Sequence, residues 1–296
     1  MHMNDILQSR RTLLKAAAAL SMAAVPWGLH AAPSRRLKNI GLQLYTLRRE
    51  MAQDFTGTLA KVAALGYSEM EFAGYFDKSS KEVRQILDQL GMTSPATHIP
   101  LPMIRDNLET EIETALIIGQ KYMVVPFIPP NERTLDHYHR NAELLNRAGE
   151  ACKSAGLQMG YHNHNFEFAA TDSQIPYDIL LAETDPELVA MEMDLFWIMY
   201  AGVDPIPYFK KHPGRFAMLH VKDMDSSRRM VDVGSGSIDF AELFSYRNTA
   251  GFKHYFVEHD NPGGRRSGGR RTGGGRAGGG LTSVAASIKA LRNLVF

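Results

Sequence analysis

A chain of 296 residues, 44% of them hydrophobic, is long enough to bury a barrel-sized core. Its formal net charge of +1 gives no bulk attraction to nucleic acid, an acidic membrane surface or a polyanionic partner, so the default ligand is a small molecule. With one cysteine, Cys152, neither an intramolecular disulfide nor a cysteine-based metal site can form, and in "NRAGEACKSAG" it reads as a small buried helix residue.

Residues 1–32 read as an export signal rather than as part of a fold. Arg10 and Arg11 precede an apolar run from Leu13 to Trp27, and small residues follow as far as Ala31 and Ala32. With Lys15 directly after the leucines, the pattern resembles a twin-arginine signal. The apolar run is shorter than the roughly 20 residues that a bilayer span needs. The expectation is passage through the twin-arginine export machinery, cleavage near Ala31 or Ala32, and a soluble periplasmic protein of residues 33–296.

From there on, β-rich runs alternate with amphipathic helical runs. The strand candidates are "KNIGLQLYTL", "YSEMEFAGY", "TSPATHIP", "KYMVVPFIP", "LQMGYHNHNF", "LVAMEMDLFW", "RFAMLHVKDM" and "KHYFVEHD". Between them lie helical patterns such as "DFTGTLAKVAALG", "SKEVRQILDQLG", "LETEIETALIIGQ" and "LDHYHRNAELLNRAGEACKSAG", three of which end on glycine, and the chain closes with "LTSVAASIKALRNLVF". Eight such units predict a single-domain α/β fold, a (β/α)8 TIM barrel with its chemistry at the C-terminal strand ends. An open doubly wound sheet would carry a glycine fingerprint after the first strand, and "GLQLYTLRRE" has none. One segment stands outside the pattern: residues 263–280, "GGRRSGGRRTGGGRAGGG", hold only Ala277 as an apolar side chain and read as a flexible low-complexity insertion in the last βα loop.

In a barrel, ligands from neighbouring strands recur once per strand-helix unit. His162 ends the fifth strand, Asp194 the sixth, His220 the seventh and Glu258 the eighth. Two imidazoles and two carboxylates suit one divalent ion, Mn, Fe, Co or Zn, and suit thiolate-seeking ions poorly. Four such groups at four consecutive strand ends are hard to explain as packing, because unpaired charge is costly to bury.

Taken together, "GLQLYTLR", "YHNHNFEF", "MEMDLFW", "PGRFAMLHVKDMD", "VGSGSIDF" and "YFVEHD" resemble the xylose-isomerase-like barrel superfamily, in its sugar phosphate isomerase/epimerase branch. The resemblance runs from about Asn39 to Asp260 and resumes in the final helix. It implies a divalent metal held at strands five to eight, by His162, Asp194, His220 and Glu258 at the matching positions, and proton transfer beside a sugar carbonyl. Many members carry glutamate where His162 stands, which makes Glu167 the second candidate for that strand. His162 and His164 share one strand face, and Glu167 reaches the site, as a ligand or as a catalytic base, only if the strand stops near His164 and leaves Glu167 on a loop. His164 is expected to orient the site rather than to ligate, and is also a candidate for binding substrate.

Proton transfer beside a carbonyl needs a base and a group that stabilises the developing negative oxygen. Glu258 is the candidate base as well as a ligand, and Lys222, two residues beyond His220 on the same face, is the candidate donor, with ordinary surface exposure as its alternative. Glu71 and His98 also end strands and are candidates for the second face or for binding sugar hydroxyls. Trp197 and Tyr45 are candidate sugar platforms, each with burial or packing as the alternative. "VGSGSIDF" looks like a glycine turn able to cradle phosphate, and "HYHR" lies on an outer helix, where it reads as surface.

The expected function is isomerisation or epimerisation of a free sugar or keto-sugar, and export argues against a phosphorylated one. A lyase or hydrolase acting on 3-keto-glycosides uses the same α-proton abstraction. An apurinic endonuclease of the superfamily would need more ligands and a basic groove, while a non-catalytic sugar-binding protein would have no reason to keep four metal-capable positions.

Overall fold

Eight parallel strands run in chain order as β1 (Gly41–Gln43), β2 (Glu69–Phe72), β3 (Thr93–His98), β4 (Tyr122–Val125), β5 (Gln158–His162), β6 (Val189–Asp194), β7 (Phe216–Val221) and β8 (His254–Val257). Each pairs with its neighbours in sequence, and β8 closes on β1. The result is a closed eight-stranded parallel barrel ringed by helices. The computed structural model describes residues 35–262 and 279–296, and the export segment and most of the Gly/Arg insertion lie outside these. Gly279 and Gly280, read from sequence as the end of that insertion, instead open the last helix, Gly279–Asn293, where Gly280 is buried.

The helices follow from local chemistry. Helix Ser80–Leu90 starts at a capping box in which Ser79 and Glu82 each accept from the other's backbone N–H. It buries Val83 and Leu87, four residues apart on one face, and stops at Gly91, whose φ of 65° is costly for a residue with a side chain. Helix Leu135–Ser154 buries Tyr138, Ala142, Leu145, Ala148 and Cys152 along one stripe, so the lone cysteine is a core residue, with its Sγ 3.7 Å from Met123 Sδ.

Two apolar cores result. The larger fills the space between strands and helices, and a smaller one, comprising Ala96, Tyr122, Val124, Ala190, Ala217, Met218 and Phe256, plugs the barrel. Phe256 fills the axis so closely that a Cβ placed on Gly41 would stand 2.4 Å from its ring. The predicted strand "TSPATHIP" holds Pro95, which cannot donate to a ladder. The register steps from Glu69 opposite Thr93 to Glu71 opposite Ala96, so Pro95 sits in an irregularity of the pairing, where a proline is tolerated. Beyond it, Ala96 and His98 alternate with outward residues and face the axis.

Above the apolar plug, the strand ends carry a polar layer of Gln43, Glu71, His98, His162, Glu192, Asp194, His220 and Glu258. All but the half-buried His98 are buried. The C-terminal mouth of the barrel is therefore where the fold concentrates its unneutralised chemistry.

Candidate metal centre

His162, Asp194, His220 and Glu258 come together at the mouth, each offering one ligand atom within 4.8 Å of the others. His162 ends β5 and Asp194 ends β6; His220 is the penultimate residue of β7, and Glu258 lies one residue past β8. His162 Nδ1 lies 3.1 Å from the Pro126 carbonyl, which can only accept, so Nδ1 carries the proton and Nε2 presents its lone pair to Asp194 Oδ2 at 3.2 Å. Burial, and then the neighbouring His220, push the His162 pKa down, which keeps the ring neutral. A lone pair facing a carboxylate oxygen is stable only with a cation nearby, a part that the Lys222 ammonium, 3.0 Å from the same oxygen, fills in the structure and that a bound ion would share. His220 Nδ1 lies 2.8 Å from Glu258 Oε2 yet makes no hydrogen bond, because the two groups are not aligned with each other. The donor set and its geometry thus fit a divalent ion held by these four residues.

Lys222 meets the same carboxylates, its Nζ 3.0 Å from Asp194 Oδ2, 2.6 Å from Glu258 Oε2 and 2.7 Å from Asp260 Oδ1. Its surface alternative is overturned, since the side chain is 2% exposed. Burial acts to raise both carboxyls, but Lys222 and the histidines outweigh it, holding Asp194 at about 2 and Glu258 well below its usual value. Burial disfavours the Lys222 cation, and Asp194, Glu258 and Asp260 more than reverse that, so the ammonium stays charged.

Beneath these four lies a second set that shares His220: Glu71, His98 and Glu192. His220 Nε2 is 2.7 Å from Glu71 Oε2 and 3.2 Å from Glu192 Oε2, while His98 Nε2 is 2.8 Å from Glu192 Oε2. The rings of His98, His162 and His220 pack together, with centroids 4.4 to 5.2 Å apart. Glu71 is fully buried and bonded inside this set, so it does not reach a sugar as expected. Glu192 was missed from sequence although "MEMD" places it on the same face as Asp194, two residues before it. Asp260, also missed, stands two residues beyond Glu258 in "VEHD".

A cavity of about 620 Å³ opens above this layer, lined by His98, His162, His164, Glu258 and Asp260 on its polar side and by Tyr45, Tyr75, Ile99 and Phe127 among its apolar walls. Residues 59–273 match the family model described as Xylose isomerase-like TIM barrel. The chain belongs to that family. An inosose dehydratase from Geobacillus kaustophilus is 26% identical over 228 residues, 63% of this chain and 73% of that protein. One from Lacticaseibacillus casei is 32% identical over 142 residues, 42% of this chain but only 47% of the relative's length. A solved sugar phosphate isomerase/epimerase from Parabacteroides distasonis superposes with a TM-score of 0.73 at 27% identity, covering 88% of this chain and 96% of the other. These relatives are enzymes, two named for dehydration and one for isomerisation or epimerisation.

Within this family barrel the other candidates separate. The fifth strand stops at His162, and Glu167 does lie past its end, on the turn Phe166–Phe168, but it points away from the mouth. Its carboxylate accepts from the Tyr161 hydroxyl at 2.6 Å and the His164 N–H at 2.9 Å, and burial pushes its pKa up to about 7. Glu167 is therefore outside both ligand-capable sets. His164 lines the cavity with its ring against His162, Phe166 and Trp197, and burial, then His162, lower its pKa to about 2. Trp197 does not line the cavity; it packs on His164, with Lys222 Nζ 5.9 Å from its ring. Tyr45 is 44% exposed at the rim, on the turn Leu44–Leu47 after β1 rather than on the strand, with Arg48 4.0 Å over its ring. His137 and His139 of "HYHR" are solvent-facing, the latter paired with Glu183.

The glycine turn in "VGSGSIDF" does bind an anion, but one from the chain itself. The N–H groups of Gly234 and Gly236 both donate to Asp223 Oδ2 at 2.9 Å, and those of Met224 and Ile238 donate to Asp223 Oδ1. The turn is filled by a carboxylate, which takes the Gly234, Gly236 and Ile238 N–H groups that would otherwise face a phosphate.

Proposed function

We propose that this protein abstracts a proton alpha to the carbonyl of an unphosphorylated sugar or keto-sugar, with isomerisation or epimerisation as the outcome. The observation that carries this reading is the convergence of His162, Asp194, His220 and Glu258, with Lys222 in contact, at the floor of an open cavity. His162, Asp194, His220 and Glu258 would hold one divalent ion, which supplies Lewis-acid polarisation of the carbonyl. Glu258 lines the cavity and is ionised, so its carboxylate takes the α-proton while the C–H electron pair moves toward the carbonyl oxygen. Lys222 lies behind the cavity wall and holds Glu258 and Asp194 in place with its ammonium, and its buried positive charge would favour the negative charge that grows on the oxygen. Returning the proton to the former carbonyl carbon, while the α-hydroxyl gives its proton to the former carbonyl oxygen and becomes the new carbonyl, gives an isomer; protonation of the α-carbon on its other face by a second donor, a side chain or water, gives an epimer. His164, uncharged and stacked among aromatic rings, shapes the wall on which the ring of the sugar rests.

Two observations support an unphosphorylated substrate. The cavity lining contains no lysine or arginine among the described residues, and the nearby glycine turn is closed by Asp223. This agrees with the export signal read at residues 1–32 and with a periplasmic place of work, both of which belong to the proposal. A second reading, β-elimination of a hydroxyl from the same carbanion, is favoured by the inosose dehydratase relatives. In that case the electron pair left by the α-proton forms a C=C bond, and the β-hydroxyl leaves as water after taking up a proton.

The experiment is to incubate metal-supplemented mature protein with free keto-sugars and keto-inositols in D2O and follow the α-hydrogens by NMR. Deuterium entering without loss of the hydroxyl supports isomerase or epimerase chemistry, and appearance of an unsaturated or deoxy product supports the dehydratase reading. No exchange into any of them by metal-saturated protein overturns both.

A further inference from the structure

We propose that Glu71 and Glu192 are paired positioning residues that hold the proton of His220 on Nε2 and so turn its Nδ1 toward the metal. The inference rests on the metal reading above and assigns roles to two residues that do not belong to the ligand set.

The argument starts at Gln43, whose amide orientation is fixed. Its Oε1 accepts from the Tyr45 N–H at 2.9 Å, so its Nε2 must donate, and it does so to Glu71 Oε2 at 2.8 Å. That same oxygen receives His220 Nε2 at 2.7 Å. His220 Nε2 faces carboxylate oxygens of two glutamates at once, and the Glu71 oxygen nearest to it already accepts from Gln43, so the hydrogen between Glu71 and His220 is assigned to the imidazole, whose Nε2–H can serve both acceptors. Glu192 approaches the same Nε2 at 3.2 Å and receives His98 Nε2 at 2.8 Å. Both carboxylates are fully buried, and Glu71 Oε1 and Glu192 Oε1 have no hydrogen-bond partner, so their negative charge is shared between His220 and His98, whose Nε2 is 3.5 Å from Glu71 Oε1. The imidazole thus carries its hydrogen downward and its second nitrogen upward, to the point where Nδ1, Asp194 Oδ2 and Glu258 Oε2 meet. Carboxylates placed behind a ligating imidazole fix its tautomer and raise its basicity, and their loss typically costs about 10 to 100-fold in metal affinity.

Ion binding and nuclear resonance test this on the full mature chain. With cadmium as probe and 15N-labelled histidine, scalar coupling should appear between the metal and His220 Nδ1, while Nε2 keeps its proton; coupling to Nε2 overturns the proposal. Manganese or zinc titration by calorimetry should show Glu71→Gln and Glu192→Gln each weakening binding by about 10 to 100-fold. The stoichiometry should stay at one, and the unfolding temperature in chelator should stay close to that of wild type. Unchanged affinity in both variants overturns the inference and leaves the metal reading intact. Two ions per wild-type chain, falling to one in Glu192→Gln, would make the lower set a metal site in its own right and also overturn it. A wild-type chain that takes up no ion removes the reading and the inference together.

Discussion

Glu258→Gln keeps the size of the side chain and an oxygen donor but removes its charge and most of its basicity. Exchange of the α-hydrogen should fall by about 10² to 10⁴-fold, measured by deuterium uptake, with part of the metal retained. Glu167→Gln should leave metal content unchanged, since Glu167 faces Tyr161 and the His164 backbone rather than the mouth. Loss of metal in that variant, with His162→Ala retaining it, would reverse the assignment of the fifth strand. Glu167 has instead a signature in stability. Burial raises its carboxyl to about 7 from the usual 4.5, so between those values the native chain holds a proton that the unfolded chain has released. The native state is then the one that binds more protons, and its stability falls as pH rises through that window. Urea denaturation at roughly pH 5 and pH 8 should show a larger loss for wild type than for Glu167→Gln, and equal losses would remove the account.

Two elements set the height and shape of the site. The plug under the polar layer depends on Gly41 leaving room for Phe256. Gly41→Val should destabilise by about 1 to 3 kcal/mol through overpacking, and adding Phe256→Leu should restore part of it, read as a coupling energy in a double-mutant cycle. Purely additive effects would mean that the two residues do not compete for the axis. On the other side of the mouth, the turn after the short ribbon Asp223–Met224 and Met230–Val231 is organised around one carboxylate. Asp223→Asn keeps an acceptor but loses the charge, which is worth about 1.5 to 3 kcal/mol in hydrogen bonds to ionised groups. The amides of Gly234 and Gly236 should then exchange with solvent faster, and unchanged protection would show that the turn holds itself.

For the molecule as a whole, an ion held by β5 to β8 would tie together half of the strand ends in the barrel. Anything that binds only the native state stabilises it, by about 2.7 kcal/mol when the free ion stands at 100 times its dissociation constant. For a chain of this size that is a rise of about 5 to 10 °C in the midpoint of unfolding. Calorimetry with and without chelator should show this shift in the wild type and lose it in Asp194→Ala. A chelator effect of equal size in both proteins would place the stabilising ion somewhere other than this centre.

What the amino-acid order determined by itself was the periodic part of the molecule. Eight apolar strands, their amphipathic partners and four ligand-capable side chains at strands five to eight were legible, because strand alternation and helix stripes are local patterns that burial enforces. The export signal, read from the Arg10–Arg11 pattern, and the arginine-rich insertion, read from composition, stay expectations of the sequence, since both fall outside the described residues except for Gly279 and Gly280. Tertiary structure decided which of two acids on one face does what. In the pairing of β5 with β6, His162 stands opposite Glu192, yet its Nε2 meets Asp194, two residues further along. The strands are tilted in a closed barrel, so side chains that meet at one height come from staggered positions, and the residue below is left to face His98 across the axis. The same closure carried Glu71 from β2 to His220 on β7, 149 positions away in the chain, and turned it from a sugar-binding candidate into a buried partner of that imidazole. Alternation along a strand says which face a side chain takes; only the closed barrel says whom it meets there.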